Sequence, residues 1–481
     1  MVRRSAGGVL PYVRRVLAAG VLSASTLGHA AAQIRADMAE SLAPRPPRFH
    51  ALRADDDFRA ECPAFRRGDT SERLKCIAVG ADGRATLAFG GEVRVRAERF
   101  VNGGWGDEAP TDDYLLQRYM LHADLRAAGR LRAFAQLKSG LSSQRIGGPR
   151  PADADRIDLH QLFVDVPLRR GARDSVSLRV GRQELAFGGS RLVSVREGPN
   201  VRQSFDGVRL GAGAAGWRVD ALAVAAVPTN LGAFDDAPTA DRTLWGVYAV
   251  RTLAARRRVD VYLLGYDRKV AHFGAATGAE HRRSVGTRWS GVAGAWDYDY
   301  EAVGQWGRFG ATGIRAWLLA TGTGCRFARA PASPRLGFEA GAASGDRRPG
   351  DGRLNTFNAM FPSGAYFSEA DLLGPADVVV ARPSLALHPA ERFTLTPDVA
   401  AFWRQSPRDG VYGVPGNLLR PGGASRARYV GTHANVEAEY ELSTYVSANA
   451  TYLHFFPGRF LRETPPDRPV TYVATWATLK F

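Results

Sequence analysis

The chain has 481 residues, 45% of them hydrophobic and 23% charged, with 53 glycines and a formal net charge of +16. Beyond position 32 no run approaches the ~18 consecutive apolar residues of a membrane helix, so strands would have to make any membrane crossing. So basic a balance often signals nucleic acid, but the leader at the N-terminus points to export, where a positive field lining an anion pore fits better.

Residues 1–32 carry Arg3, Arg4, Arg14 and Arg15, no acid, an apolar stretch over 16–27, and Ala30-Ala31-Ala32 ahead of Gln33. This is the pattern of a cleaved secretory signal peptide, its apolar run too short to span a bilayer. Removing its four arginines leaves 16 − 4 = +12 on the mature chain. Residues 33–84 read as a periplasmic segment on which an export scaffold could dock. Cys62 and Cys76, in an oxidising compartment, are expected to form a disulfide, which leaves Cys325 without an obvious partner. No Cys/His spacing suggests a metal, and no cofactor is expected.

From residue 85 to 481 the chain reads as alternating segments of about nine to twelve residues, the signature of transmembrane barrel strands. In 91–99, Val93, Val95 and Ala97 take one face while Glu92, Arg94, Arg96 and Glu98 take the other. Tyr119, Leu121, Ala123 and Leu125 oppose Arg118, His122, Asp124 and Arg126, and Leu131, Ala133, Ala135 and Leu137 oppose Arg132, Gln136 and Lys138. A soluble sandwich also alternates, but its apolar face favours large Val, Ile and Leu; here that face is rich in Ala, with aromatics near segment ends. The expected strands are 86–99, 115–127, 130–138, 159–167, 175–183, 204–211, 217–225, 243–252, 258–266, 281–289, 295–306, 313–320, 335–343, 377–387, 392–403, 428–440, 444–455 and 470–481. The fold is therefore all-β: a closed antiparallel transmembrane β-barrel of about 18 strands, placed in a Gram-negative outer membrane. Closure requires 470–481 to pair with 85–99, with Lys480, Thr478 and Trp476 toward the lumen and Phe481 at the periplasmic rim.

Gaps after odd-numbered strands are mostly long (101–114, 139–158, 227–242, 344–376, 405–427) and those after even-numbered strands mostly short. Long loops then fall outside the cell and short turns in the periplasm; Cys325 is expected in a periplasmic turn longer than its neighbours. The 344–376 loop, with Phe357 to Phe367, reads either as a sugar-stacking lid or as a loop packed on itself.

An arginine facing lipid at the midplane costs about 2–4 kcal/mol, whereas one in a wet lumen costs little. The alternation accordingly turns Arg94, Arg96, Arg118, Arg126, Arg132, Arg179 and Arg209 inward. Guanidinium groups suit carboxylate anions because the planar fork binds them bidentately. Interleaved Glu92, Glu98, Asp124, Asp297, Asp299 and Glu301 are expected to balance the wall in transverse networks. Between two strands, 182–206 brings Arg182, Glu184, Arg191, Arg196, Glu197, Arg202 and Asp206, expected to fold into the pore mouth as a constriction; alternatively these charges pair locally, Arg202 with Asp206, and only rigidify a loop.

Several stretches resemble the alginate export family of outer-membrane barrels. They are 89–96 (Phe-Gly-Gly-Glu-Val-Arg-Val-Arg), 113–119 (Asp-Tyr-Leu-Leu-Gln-Arg-Tyr), 181–185 (Gly-Arg-Gln-Glu-Leu), 190–207, 356–362 (Thr-Phe-Asn-Ala-Met-Phe-Pro) and 364–367 (Gly-Ala-Tyr-Phe). The resemblance covers most of the chain after residue 85. It implies an eighteen-stranded barrel whose arginine-rich lumen passes an anionic polyuronate; Arg182 matches the family's Gly-Arg-Gln motif, and Arg196, Asn200 and Arg202 match the motif that follows. The Cys62/Cys76 pair lies outside the family pattern. The expected function is a passive outer-membrane channel for an alginate-like anionic polysaccharide or its fragments. The alternative is a general anion-selective porin for small organic acids. No enzymatic role is expected: a wet lumen does not shift Glu98 or Asp124 by burial, and His454 lies too far along its strand from Ser447 for a hydrolase pair.

Overall fold

The computed structural model describes residues 49–80, 85–127, 131–171 and 174–481; the expected signal peptide, 1–32, lies outside them. Eighteen antiparallel strands form the wall. In chain order they are β1 (Ala85–Val101), β2 (Thr111–Ala127), β3 (Leu131–Ser143), β4 (Asp155–Arg170), β5 (Asp174–Gln183), β6 (Phe205–Ala214), β7 (Trp217–Ala226), β8 (Arg242–Ala254) and β9 (Arg257–Phe273). They continue as β10 (Ala276–Ala293), β11 (Trp296–Phe309), β12 (Thr312–Arg326), β13 (Arg335–Ala343), β14 (Val378–Ala390), β15 (Phe393–Arg404), β16 (Tyr429–Glu441), β17 (Val446–Pro457) and β18 (Val470–Lys480). Each strand pairs with its neighbours in sequence, and β18 returns to β1 from Glu92↔Lys480 through Arg96↔Trp476 to Val101↔Thr471. The sheet has no free edge, as hydrocarbon requires.

Period-2 alternation decides which face meets lipid. Leu121, Leu263, Leu319 and Tyr452 are exposed on the outer face, while Arg94, Arg96, Arg118, Trp476 and Thr478 are buried within. Strand β11 carries exposed Trp296 at its start and exposed Trp306 three residues before its end. Their separation of 306 − 296 = 10 residues, at about 3.3 Å per residue and a tilt near 40°, makes an apolar band about 25 Å tall. No helix among the described residues is long and apolar enough to cross a membrane.

Two connections depart from the sequence reading. Cys325 is a strand residue, paired with Trp296 in the β11–β12 ladder and half-buried. The Thr321-Gly322-Thr323-Gly324 run looks like a turn but continues β12, and the long turn comes later, at 327–334. On the opposite rim, β9–β10 and β11–β12 are joined by tight turns with Gly274 and Gly310 at positive φ (56° and 55°), so these strands extend well beyond the lipid band.

Ahead of the wall, 49–79 forms a small unit with short helices α1 (Cys62–Phe65) and α2 (Thr70–Arg73), a Cys62–Cys76 disulfide, and a strand Ile77–Val79 laid on Ala85–Leu87. Inside the bore, a dry cluster joins Leu185, Val193, Phe205, Tyr266, Phe357 and Phe361.

Leu319 is 53% exposed and paired with Ala302, midway along β11 between the two tryptophans. Leu319→Arg should therefore destabilise the barrel by about 2–4 kcal/mol, and Leu319→Ala by much less. Urea unfolding in lipid vesicles, followed by tryptophan fluorescence, measures both.

Candidate functional site

The connection 184–204 between β5 and β6 turns into the bore. Ser190 and Arg196, both at φ 56°, reverse the chain twice within it. On one side the Asn200 Nδ2 group lies 2.8–3.2 Å from the carbonyl oxygens of Asp153, Gln117 and Leu141. Arg94 donates from Nη1 to Glu197 O (2.9 Å) and from Nη2 to Pro199 O (2.8 Å). The approach to β3 is close enough that a Cβ at Gly140 would stand 2.7 Å from Val201 Cγ2. On the opposite wall Arg191 Nη1 reaches Asp299 (2.9 Å) and Glu301 (2.8 Å) of β11. The segment spans the bore and narrows it, as the sequence leads one to expect.

The 344–377 loop also packs inward. Val193 bridges to Phe361, whose ring stands 4.9 Å from Phe205 and 5.6 Å from Tyr266. Phe357, Phe361 and Tyr366 are all buried, so they offer no open stacking surface to a sugar.

Most lumen guanidiniums are already neutralised. Arg118 Nε lies 2.9 Å from Glu92 Oε1, and its Nη2 bonds Glu197. Arg202 bridges Glu184 (2.7 Å) and Glu197 (2.8 Å), and His160 holds Glu184 from behind at 2.8 Å. Burial works to raise the Glu197 carboxyl, but the charges of Arg118 and Arg202 outweigh it and hold the group below its usual range. Arg96 bonds Glu98 (2.5 Å), Glu369 (2.8 Å) and Tyr472 Oη, and its guanidinium lies 4.4 Å from the Trp476 ring centre.

Toward the periplasm Arg126 and Arg132 share Asp124 (2.9 and 2.8 Å), and Arg179 takes Asp165 (2.7 Å) above the Phe163 ring. Arg182 grips Asp206 (2.8 Å), and Arg209 grips Asp220 (2.8 Å). The local pairing of Arg202 with Asp206 is thus replaced by two crossed pairs, Arg182–Asp206 and Arg202–Glu184/Glu197. Arg94 has Glu197 at 3.9 Å besides its carbonyl partners. The transverse networks extend to Asp297, held by Arg335, and to Asp299, held by Arg191 and Arg288.

A cluster of three arginines stands apart from these networks. Arg242 and Arg268 are directly opposite each other in the β8–β9 ladder. Both fall on the lumen face, two residues from buried Leu244 and Tyr266 respectively. Glu280 lies opposite Arg268 on β10, but its carboxylate is taken by Arg282 (2.5 Å) and Asn358 (3.0 Å). Arg196 of the inward loop is the third; burial and the nearby Arg242 charge push its guanidinium down to about 10. Among the described residues none of the three has a carboxylate within ion-pair distance. Sequence reasoning found Arg196 and missed the other two, because it stopped the strands at 243 and 266; carrying the alternation one step past Leu244 and Tyr266 would have found them.

Asp158, Asp235 and Asp236 have metal-ligand spacing, but Lys138 lies 2.7 Å from Asp236 and Arg182 lies 3.6 Å from Asp158, so protein cations fill the position.

A closed eighteen-strand barrel with a charged bore narrowed by an inward loop defines an outer-membrane channel of the porin type. The alginate export family model matches residues 85–473, and the chain belongs to that family. Among solved structures, the barrel is similar to Pseudomonas aeruginosa OpdO (TM-score 0.55, 12% identity, 82% of this chain and 97% of that one). It is equally similar to a BenF-like porin from Pseudomonas fluorescens Pf-5 (TM-score 0.55, 11% identity, 82% and 98%). Pseudomonas aeruginosa OccK2 (OpdF), solved in complex with glucuronate, gives TM-score 0.54 at 13% identity (82% and 98%). At these identities the likeness is one of fold. No curated protein matches the sequence.

Arg202→Ala leaves Glu184 and Glu197 buried with one fewer cation and should destabilise the protein by about 3 kcal/mol. Arg169→Ala, which breaks an exposed pair with Asp174, should change stability by less than about 1 kcal/mol. Equilibrium unfolding of the two variants side by side tests the contrast.

Proposed function

We propose that the protein is a passive channel for an anionic polyuronate or its uronate fragments, admitted on the arginines that the barrel does not neutralise itself. The observation that carries this reading is the cross-strand Arg242–Arg268 pair with Arg196 beside it. Like charges directly opposite one another destabilise a sheet, and a carboxylate between them offsets that cost. A guanidinium already locked to Asp or Glu has little left for a passing anion, whereas these three retain their donors. Family membership supports the polyuronate class, and Arg94, Arg96, Arg118, Arg126, Arg132, Arg179, Arg182, Arg191, Arg202 and Arg209 contribute through the shape and field of the wall. The pairing of Glu98 and Asp124 with arginine supports a channel rather than an enzyme.

A second reading, an anion-selective porin for small organic acids, is favoured by the filled bore. Loops 184–204 and 344–377 meet inside the barrel, which suits short anions better than a polymer. A similar barrel was solved with the monouronate glucuronate.

In planar bilayers under a KCl gradient the protein should be anion-selective, and oligouronates should block its current. Arg242→Ala/Arg268→Ala should move the reversal potential toward zero and weaken the block. Cation-selective current with no uronate block would sink the reading; anion selectivity without block would favour the second one.

A further inference from the structure

Residues 49–79 lie upstream of the family-matched span, yet they are built into the end of the barrel that holds the short turns. Arg53 is only 2% exposed and donates from Nη1 to Gly91 O and from Nη2 to Phe481 O, each at 2.8 Å. Asp56 orients it through Nε at 2.8 Å. The wall reaches back with its own guanidiniums: Arg126 Nη2 donates to Asp56 O (2.6 Å) and Arg132 Nη2 to Ala54 O (2.5 Å). Arg126 Nη1 also lies 2.7 Å from Asp57. Ala54 packs on Phe134 of β3 and Phe163 of β4, and Phe49 meets Tyr445 in the β16–β17 turn, ring centres 6.0 Å apart. Deeper in the bore, Arg202 of the inward loop donates to Ala51 O at 2.9 Å.

The seat is polar. Within 49–79 only Phe49, Ala54, Cys62 and Cys76 are buried apolar side chains; the remaining hold is mostly polar, from these guanidiniums, from Lys75 Nζ donating to Phe89 O (2.7 Å) and from Phe89 N–H donating to Leu74 O (2.8 Å). Such bonds contribute modestly net because water replaces them when they open, unlike the apolar contacts of a permanent core. A segment this small does not keep a fold by burial alone, and the Cys62–Cys76 bridge supplies the missing constraint. The bridge keeps Cys62 and Cys76 joined whether or not the segment is seated, and Ile77–Val79 on Ala85–Leu87 tethers it to the wall.

We propose that residues 49–79 form an autoinhibitory plug: seated, the segment obstructs the periplasmic mouth, and its release about the Ile77–Val79 tether opens the pore. Single-channel conductance of the full chain in KCl alone tests this without any uronate, so the outcome is independent of the substrate reading. Arg53→Ala should raise the conductance several-fold over the parent, and Asp57→Asn should raise it by less in the same direction. Heat-modifiable gel migration checks that each barrel is folded. Folded Arg53→Ala and Asp57→Asn proteins that conduct no better than the parent would overturn the proposal, and if Arg53→Ala does not fold, Asp57→Asn decides alone.

Discussion

Closure of the β18–β1 seam is the constraint on which everything else rests. In hydrocarbon each unpaired backbone N–H or C=O costs several kcal/mol, so the Glu92↔Lys480 to Val101↔Thr471 register must form before a bore exists. Once the wall closes, the period-2 pattern gives every strand one dry outer face and one inner face. The inner face then has two uses, as a wet channel and as a surface on which loops can pack. This chain uses both: arginine-carboxylate networks on part of the wall, and the Phe205–Phe361–Tyr266 cluster on another.

The fold was legible because lipid makes alternation strict. Leu121 and Val95 outside, with Arg118 and Arg94 inside, follow from sequence spacing alone, and the eighteen strands and the Val470–Lys480 seam follow with them. Alternation weakens where strands outgrow the lipid band, since both faces then meet water. That is why Arg242 and Arg268 read as loop residues although they extend β8 and β9. The inward path of 184–204 was legible as a constriction but its contacts were not. Arg94 meets carbonyls 103 to 105 residues downstream, and no local pattern encodes a contact at that separation. Local charge adjacency misled in the same way: Arg202 and Asp206 are near in sequence, but the backbone turns at the start of β6 and hands Asp206 to Arg182.

An arginine count is therefore a poor measure of an anion pore. The guanidiniums of Arg96, Arg118 and Arg202 are struts whose carboxylate and carbonyl partners fix the wall and the inward loop. Removing one partner from a buried pair leaves an uncompensated charge, so these networks resist the movement of any single member. Conduction needs the opposite, attraction weak enough to release. On the proposed reading it falls to positions where the sheet leaves positive charge unpaired, as at the Arg242–Arg268 juxtaposition.

Arg202 ties the two obstructions together. One guanidinium holds Glu184 and Glu197 of the inward loop, while its Nη2 also reaches Ala51 O at the tip of the 49–79 segment. Lifting Ala51 away returns that donor to the carboxylates or to water, and the inward loop loses its only bond of this kind to the segment below it among the described residues. The coupling is asymmetric in strength. Three contacts to two carboxylates face one bond to a carbonyl, and charge-assisted pairs with both partners ionised are the stronger. The segment below therefore leaves first and the constriction stays, so that an open mouth still meets a narrowed bore.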